Sequence, residues 1–541
     1  MISPTVTNFV RGILLALLLA VCALAAVRRL DPPDAVPAAA SPTEFSSGRA
    51  MQHLRLIAQK PHPVGSPEHA AVRDYILQEL ARLGLRPELQ TTPVVHNIMA
   101  RLAGTAQSGQ AILLVAHYDT VPVSPGASDD GSGVVVLLET LRALKAGPPL
   151  SNDVIALFSD GEEVGQLGAK AFAYSHPWAK DVGLVFNFEA RGSGGPALMF
   201  ETSGGNGWLM RHFAAAAPDP VAYSLSYGLY KLMPNDTDLT ILKEVGLPGL
   251  NFAFIKHGAT HYHSPLDNLA NIDERSVQHQ GTYALGLTRH FGNLSLAHLP
   301  EPDAIYFNLF GSRLIVYSEK WVVPLAVLAA ALWAVVGIIG WRAKRLKLAE
   351  VGPGLVAVPL GVVIDVLGVA AARWLLRALL GSGGGATTGW GGDVVILVLA
   401  TLAIAVTVAF YSWCGRKVGG VNLLFGGSLW WLLLLLLTSL FWPGGSYLFA
   451  WPLLPVLFGL ALGFGLRDSK VGAAGRFLLL MLGALTGVAL FAPVVYLSLL
   501  AFSLNSSGAA FILAVPVALV LILLVPYFAP TKVARERLAL S

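Results

Sequence analysis

Charged residues are scarce: they make up 13% of the 541 residues, against roughly 25% in an ordinary soluble domain, while 54% are hydrophobic. That balance excludes a soluble globular protein. Cysteine is nearly missing, since Cys22 and Cys414 are the only two and both sit in apolar runs. The polar part of the chain therefore has no disulfide, no thiolate zinc site and no cysteine nucleophile. A dominant charge of one sign is also absent. The 37 basic and 33 acidic side chains leave +4, and no basic run is interleaved with aromatics, so nucleic acid is not an expected partner. Histidine is lacking in one half only: all 13 precede residue 321, which assigns histidine-based metal or proton chemistry to the N-terminal part.

What is plentiful after Lys320 is apolar sequence. Stretches at 321–341, 352–380, 394–414, 421–442, 447–466, 477–500 and 509–529 approach the roughly 20 residues that cross a hydrocarbon core. Residues 1–320 hold 23 Lys/Arg and 28 Asp/Glu, whereas 321–541 hold 14 and 5, so the two parts face different solvents and the lipid bilayer is a partner. A further apolar run over 12–27, flanked by Arg11, Arg28 and Arg29, reads as an uncleaved signal anchor in preference to a cleaved signal peptide, because no crisp small-x-small site precedes a mature start.

Alternate loops between the spans carry Arg342, Lys344, Arg345 and Lys347, then Arg416 and Lys417, then Arg467, Lys470 and Arg476, then Lys532, Arg535 and Arg537; the intervening loops carry no Lys or Arg. Positive charge marks the cytoplasmic side, so the C-terminus is expected there and residues 30–320 outside. Arg28 and Arg29 oppose this locally and are outweighed. Asp365, Arg373 and Arg377 fall in one span, where an ionisable group marks a pathway or an internal pair. The plainer reading has the arginines reaching the outer surface and Asp365 bonding to a neighbouring helix. Glycines such as Gly426, Gly427, Gly459, Gly463 and Gly465 fit close helix packing.

The polar part alternates helices and strands. Ser66, Pro67 and Glu68 supply a cap, a first-turn proline and a dipole-favourable acid for a helix that Gly84 ends. Apolar runs of strand length follow at 112–119, 153–160, 182–189 and 248–255. The fold class is α/β, a mostly parallel mixed sheet flanked by helices, joined to a polytopic α-helical transmembrane domain. The domain plan is an anchor over 1–29, a Pro/Ala/Ser-rich linker over 30–47, the α/β domain over 48–300, a connector over 301–320 and seven spans over 321–541.

In open α/β sheets ligands bind outside the carboxyl ends of the strands. Here the first run ends at His117, Tyr118, Asp119; the second at Asp160, Gly161, Glu162, Glu163; the third at Asn187, Phe188, Glu189. GASDDGSG with Asp129 and Asp130 follows the first, and HYHSPLDN with His261 and His263 follows the fourth. One such acid alone reads as a helix cap. Five clusters on one edge do not, because gathered carboxylates need a cation.

The ordered phrases HYD, GASDDGSG, DGEEVGQLGA, NFEARGSGG and HYHSPLDN, over roughly 45–300, resemble the aminopeptidase Y family of co-catalytic zinc metallopeptidases. With PHPVGSPEHAAVRDYILQELARLG, PNDTDL and GLPGLNFAFIKHG ahead of a multi-span half, the chain looks most like its membrane-anchored branch, the endoplasmic reticulum metallopeptidase and vacuolar membrane protease group. The resemblance implies two zinc ions: His117 and Glu189 on one, Glu163 and His263 on the other, Asp129 bridging. Glu189 stands where many soluble relatives have Asp. Oxygen and nitrogen ligands without thiolate leave positions open for water. Glu162 is expected as general base, passing a proton from the attacking water to the leaving amine. Asp119 is expected to fix the His117 tautomer, Tyr262 to donate to the oxyanion, and Asp267 to orient His263. The resemblance also implies a cis peptide between Asp129 and Asp130.

His62, His257 and His261 are read as structural. Asp236 and Asp238 suit either a substrate amine or a turn and cap role. The triplets at Asn235, Asn293 and Asn505 match glycosylation sequons that matter only in a secretory pathway. The implied function is a membrane-bound metallopeptidase, an aminopeptidase acting on extracytoplasmic peptides, placed in a bacterial inner membrane by the Arg-rich, Ala/Gly/Leu-rich composition and the cysteine-free outer domain. The alternatives are a glutaminyl cyclase, or a transporter or assembly factor with an idle hydrolase domain.

Overall fold

The computed structural model describes residues 4–106, 109–231, 235–297, 300–310, 313–380, 390–466, 469–502 and 508–528. The chain divides into two units, Leu30–Ser318 and a second made of Met1–Arg29 with Glu319–Ser541. Seven strands of the first unit form one sheet: β1 (Glu88–Thr91), β2 (His96–Leu102), β3 (Ala111–His117), β4 (Asp153–Ser159), β5 (Val182–Ala190), β6 (Leu198–Thr202) and β7 (Gly249–Phe254), in the order β1-β2-β4-β3-β5-β7-β6. The central β4, β3, β5 and β7 run parallel; β1, β2 and β6 are antiparallel additions at the edges.

The four central strands are the four apolar runs. Alternate side chains of β3 serve two cores. Ile112, Leu114 and Ala116 join residues of helices Gly131–Lys145 and Glu274–Phe291, while Ala111, Leu113 and Val115 join Phe172, Leu239 and Leu242. Covered on both faces, β3 has no solvent side to mark with polar residues. Helix Pro67–Arg82 starts as its sequence dictates, with Ser66 Oγ accepting from the His69 amide at 3.1 Å. Chain progression runs from β3 outward to β4 on one side and to β5 and β7 on the other, so a crevice opens beyond the carboxyl ends of β3 and β5.

Two stretches expected as connections are structured. Residues 30–47 are held by side chains outside that Pro/Ala-rich segment: Gln278 Oε1 accepts from the Ser47 amide at 2.8 Å, and Arg49 donates to the carbonyls of Ala38 and Glu44, each at 2.7 Å. Phe45 is buried. Composition of the segment alone cannot report partners that lie outside it. The 301–320 stretch carries the antiparallel hairpin β8 (Ala304–Leu309) and β9 (Arg313–Ser318), and buried Asn308 accepts from the Ala222 amide at 2.8 Å.

In the second unit, among the described residues, six helices are long and apolar enough to cross a membrane: Glu319–Arg342, Leu348–Leu376, Val394–Val418, Gly420–Phe441, Tyr447–Gly465 and Lys470–Ala501. The first and last expected spans are the shorter apolar helices Leu14–Arg28 and Ala509–Ile522. Gly354 and Gly426 bring two helices together: a Cβ at Gly426 would lie 2.2 Å from the Val351 carbonyl oxygen and 2.9 Å from Gly354 Cα. Gly465 meets nothing within 4 Å among the described residues. Pro359 has no N–H for the Leu355 carbonyl, which accepts from Trp430 Nε1 at 2.7 Å; apolar surroundings demand such a substitute. Asp365 accepts from the Thr407 hydroxyl of a neighbouring helix. Arg467, Lys532, Arg535, Arg537, the Asn505 triplet, residues 381–389 and the Arg377 side chain lie outside the described residues.

Candidate metal centre

The crevice collects the acids and histidines from four strand ends. His117 closes β3, Glu189 is the penultimate residue of β5, Glu162 and Glu163 follow β4, and His263 follows β7. Asp129, in the loop after β3, lies between the histidines: its Oδ1 is 3.2 Å from His117 Nε2 and its Oδ2 is 3.2 Å from His263 Nε2. His117 Nε2 is also 3.6 Å from Glu189 Oε2, and His263 Nε2 is 3.2 Å from Glu163 Oε1. One carboxylate thus faces both imidazoles, with a second carboxylate completing each side. The Asp129–Asp130 peptide is cis.

A ring of supporting groups holds this arrangement. Asp119 Oδ1 and Oδ2 accept from the amides of Glu162 at 3.0 Å and Glu163 at 3.2 Å. His117 Nδ1 lies 3.0 Å from the Asp119 carbonyl oxygen and 3.5 Å from its Oδ1. Asp130 also lies near His117 and Glu189, but its carboxylate caps helix Gly131–Lys145 through the Gly133 amide at 3.0 Å and takes the His117 amide at 3.2 Å. Asp267 does not reach His263. It accepts from the amides of Ser128 at 2.7 Å and Asp129 at 3.1 Å, because its turn lies against the loop that presents Asp129. Asn187 Nδ2 donates to Glu189 Oε1 at 3.1 Å, and Gln280 Nε2 to the Glu189 carbonyl at 2.9 Å. Asn187 was legible in principle, since two residues along a strand share a face; Gln280 comes from a distant helix with no local signal.

Electrostatics call for positive charge here. Burial pushes the His263 imidazole down, but Asp129 and Glu163 overcome it and raise it to about 10. The same contest, with Asp119, Asp129 and Glu189 as partners, lifts His117 well above its ordinary range. Burial, with Glu189, Asp238 and Glu163 nearby, pushes Glu162 well above the usual carboxylate range. Among the described residues, buried Glu163 Oε1 meets only the His263 ring nitrogen, at 3.2 Å, and makes no well-formed hydrogen bond, an acceptor of the kind a cation satisfies. Two imidazoles and three carboxylates without thiolate are a donor set suited to zinc. The residues present fit the ion.

The remaining candidates divide. Glu162 is buried at the centre, its Oε1 accepting from Gln166 Nε2 at 3.2 Å. Tyr262 stacks on the His263 ring, centroids 3.8 Å apart, and His263 itself has φ +52°, a conformation that side-chain-bearing residues seldom hold without support. His62 Nδ1 is 2.9 Å from the Lys60 carbonyl; His261 Nδ1 is 2.6 Å from Ser193 Oγ, and His257 Nδ1 is 3.4 Å from that oxygen. Asp236 is exposed. Asp238 is buried against the Ser159 hydroxyl, its Oδ1 without a partner among the described residues, and burial pushes it up to about 7.

Residues 97–288 match the family model of Peptidase family M28. Every residue just placed at the centre lies inside that segment. Among similar proteins, endoplasmic reticulum metallopeptidase 1 of Mus musculus is 32% identical over 234 residues, 42% of this chain and 26% of that protein. A vacuolar membrane protease of Candida tropicalis is 31% identical over 343 residues, 58% of this chain and 37% of the relative. The chain spans well under half the length of the curated relatives it matches. A solved structure, an aminopeptidase from Aneurinibacillus sp. strain AM-1, is 15% identical with a TM-score of 0.39, covering 48% of this chain and 98% of that one.

Proposed function

We propose that the chain is a membrane-bound metallopeptidase using two zinc ions, an aminopeptidase of the aminopeptidase Y kind that shortens peptides on the outer side of a bacterial inner membrane. The observation that carries the reading is Asp129, with one oxygen 3.2 Å from each histidine, the disposition a bridging ligand requires. His117 and Glu189 would hold one ion and Glu163 and His263 the other. When bound, zinc supplies Lewis acidity for the scissile carbonyl and the attacking water.

The chain's own residues do the rest. Glu162, oriented by Gln166, takes a proton from the attacking water and returns it to the departing amine nitrogen. Asp119 positions Glu162 and Glu163 through their amides and His117 through Nδ1. The Tyr262 hydroxyl donates to the oxyanion as it develops. The test is mass spectrometry of a mixed peptide pool incubated with purified protein in detergent, beside Glu162→Gln and a chelated sample. Loss of amino-terminal residues, absent from both controls, is expected. Loss of ammonia from Gln-initiated peptides at unchanged length would mark a glutaminyl cyclase instead, and an unaltered pool with zinc-loaded protein would reject the peptidase reading. Orientation is tested by protease accessibility of residues 30–318 in intact spheroplasts.

A further inference from the structure

We infer that Arg191 is a specificity residue that receives a carboxylate carried by the residue just beyond the scissile bond. The inference rests on the peptidase reading and names its substrate class. Arg191 immediately follows β5, two residues past Glu189, and its amide donates to the Phe254 carbonyl at 3.0 Å. A Cβ at Gly258 would fall 2.2 Å from the Arg191 carbonyl oxygen, so the loop leading to Tyr262 and His263 is draped over its backbone. The half-buried guanidinium lies over the Tyr262 ring, Cζ 5.7 Å from the centroid, and Tyr262 in turn stacks on His263 at 3.8 Å.

Among the described residues this guanidinium has no hydrogen bond and no ion pair. The other half-buried arginines of the unit are engaged: Arg49 with Glu139, Arg73 with Asp74, Arg101 with Asp153, Arg142 with Glu139, and Arg275 and Arg289 with the carbonyls of Pro32 and Thr43. A planar fork of donors that rests on an aromatic face but has no acceptor among the described residues suits a carboxylate, which it grips bidentately. One aromatic ring separates it from a ligand histidine. An extended peptide advances roughly 3.3–3.6 Å per residue, so the group assigned to this guanidinium is the one carried by the first residue after the reacting carbonyl. Its carboxylate comes from the free C-terminus of a dipeptide or from an acidic side chain.

Binding is measured by calorimetry in the Glu162→Gln background, where ligands are not consumed. Four zinc-loaded titrations use Ala-Ala, Ala-Ala-amide, Ala-Glu-amide and Ala-Gln-amide, with Arg191→Met and Arg191→Lys as second substitutions. A carboxylate preference of roughly 10- to 100-fold is expected in one pair: the first identifies the C-terminus, the second a side chain. The ratio is expected to fall to about one with Met and to be partly kept with Lys, and being a ratio within one preparation it is insensitive to partial misfolding. Equal binding within both pairs, or a preference that survives Arg191→Met, overturns the inference. Failure of the peptidase reading appears separately, as no cleavage of any of the four by the parent protein.

Discussion

The carboxylate of Asp119 accepts the backbone amide of Glu162 at 3.0 Å, and a second bond to the Glu163 amide makes Asp119 the clamp on the turn that carries both acids. Asp119→Asn replaces one accepting oxygen with a donor that faces an N–H. Activity on a short peptide is expected to fall roughly 10- to 100-fold, the usual cost of disturbing a residue that orients metal ligands, beside a loss of roughly 1–3 kcal/mol of stability from the unsatisfied N–H that leaves the protein folded at the assay temperature. Steady-state kinetics beside calorimetric melting separates this from unfolding.

Bound metal should report the two-sided role of Asp129. Plasma emission analysis of dialysed, zinc-loaded protein is expected to give two ions per chain in the parent, about one in Glu163→Gln and in Glu189→Gln, and a loss at both positions in Asp129→Asn. A parent with a single ion that Glu163→Gln leaves in place would contradict a bridged pair.

His279 gives a pH dependence whose sign follows from its bonds. It is buried in helix Glu274–Phe291, with Nδ1 accepting from the Ala197 amide at 3.2 Å and Nε2 3.1 Å from the Asp219 carbonyl. Tyr283 is the titratable side chain against its ring, centroids 4.6 Å apart. Burial lowers its pKa to about 4, below the unfolded value of about 6.5. The neutral form is therefore favoured by folding: its stabilisation is complete above about pH 6.5 and is lost as pH falls toward 4, a change on the order of 3 kcal/mol. Melting scans from pH 7.5 to 4.5 should show this slope, and His279→Gln should flatten it.

Helix packing in the apolar unit depends on Gly354 and Gly426. Gly426→Ala places a methyl 2.2 Å from the Val351 carbonyl oxygen, and the helices must separate, at a cost of roughly 1–3 kcal/mol. Gly465→Ala, which meets nothing within 4 Å among the described residues, serves as the control. Melting of both variants in detergent decides the matter.

The sheet was legible where its chemistry is local. β3, β4, β5 and β7 announce themselves as apolar runs ending in polar residues, because strands buried on both faces need no alternation. β1, read ELQT and mostly exposed, offers no such run, and the edge pairing of β6 is set by β7 rather than by its own five residues. The acids and histidines of the centre could be named because each sits at a strand end or in a recognisable phrase. Their supports could not. Asp267 looks like a partner for the nearby His263, yet its bonds go to a loop that is distant in sequence. Arg191 is noticeable only when the partners of other arginines are known.

The order of strands around β3 has a bearing on biogenesis. His117 emerges early in synthesis and His263 only after β7, so no shorter nascent chain holds both sides of the Asp129 carboxylate. Such long-range closure is slow relative to local folding. On the two-ion reading proposed above, acquisition of the complete metal pair would be a late step, one that follows assembly of the sheet.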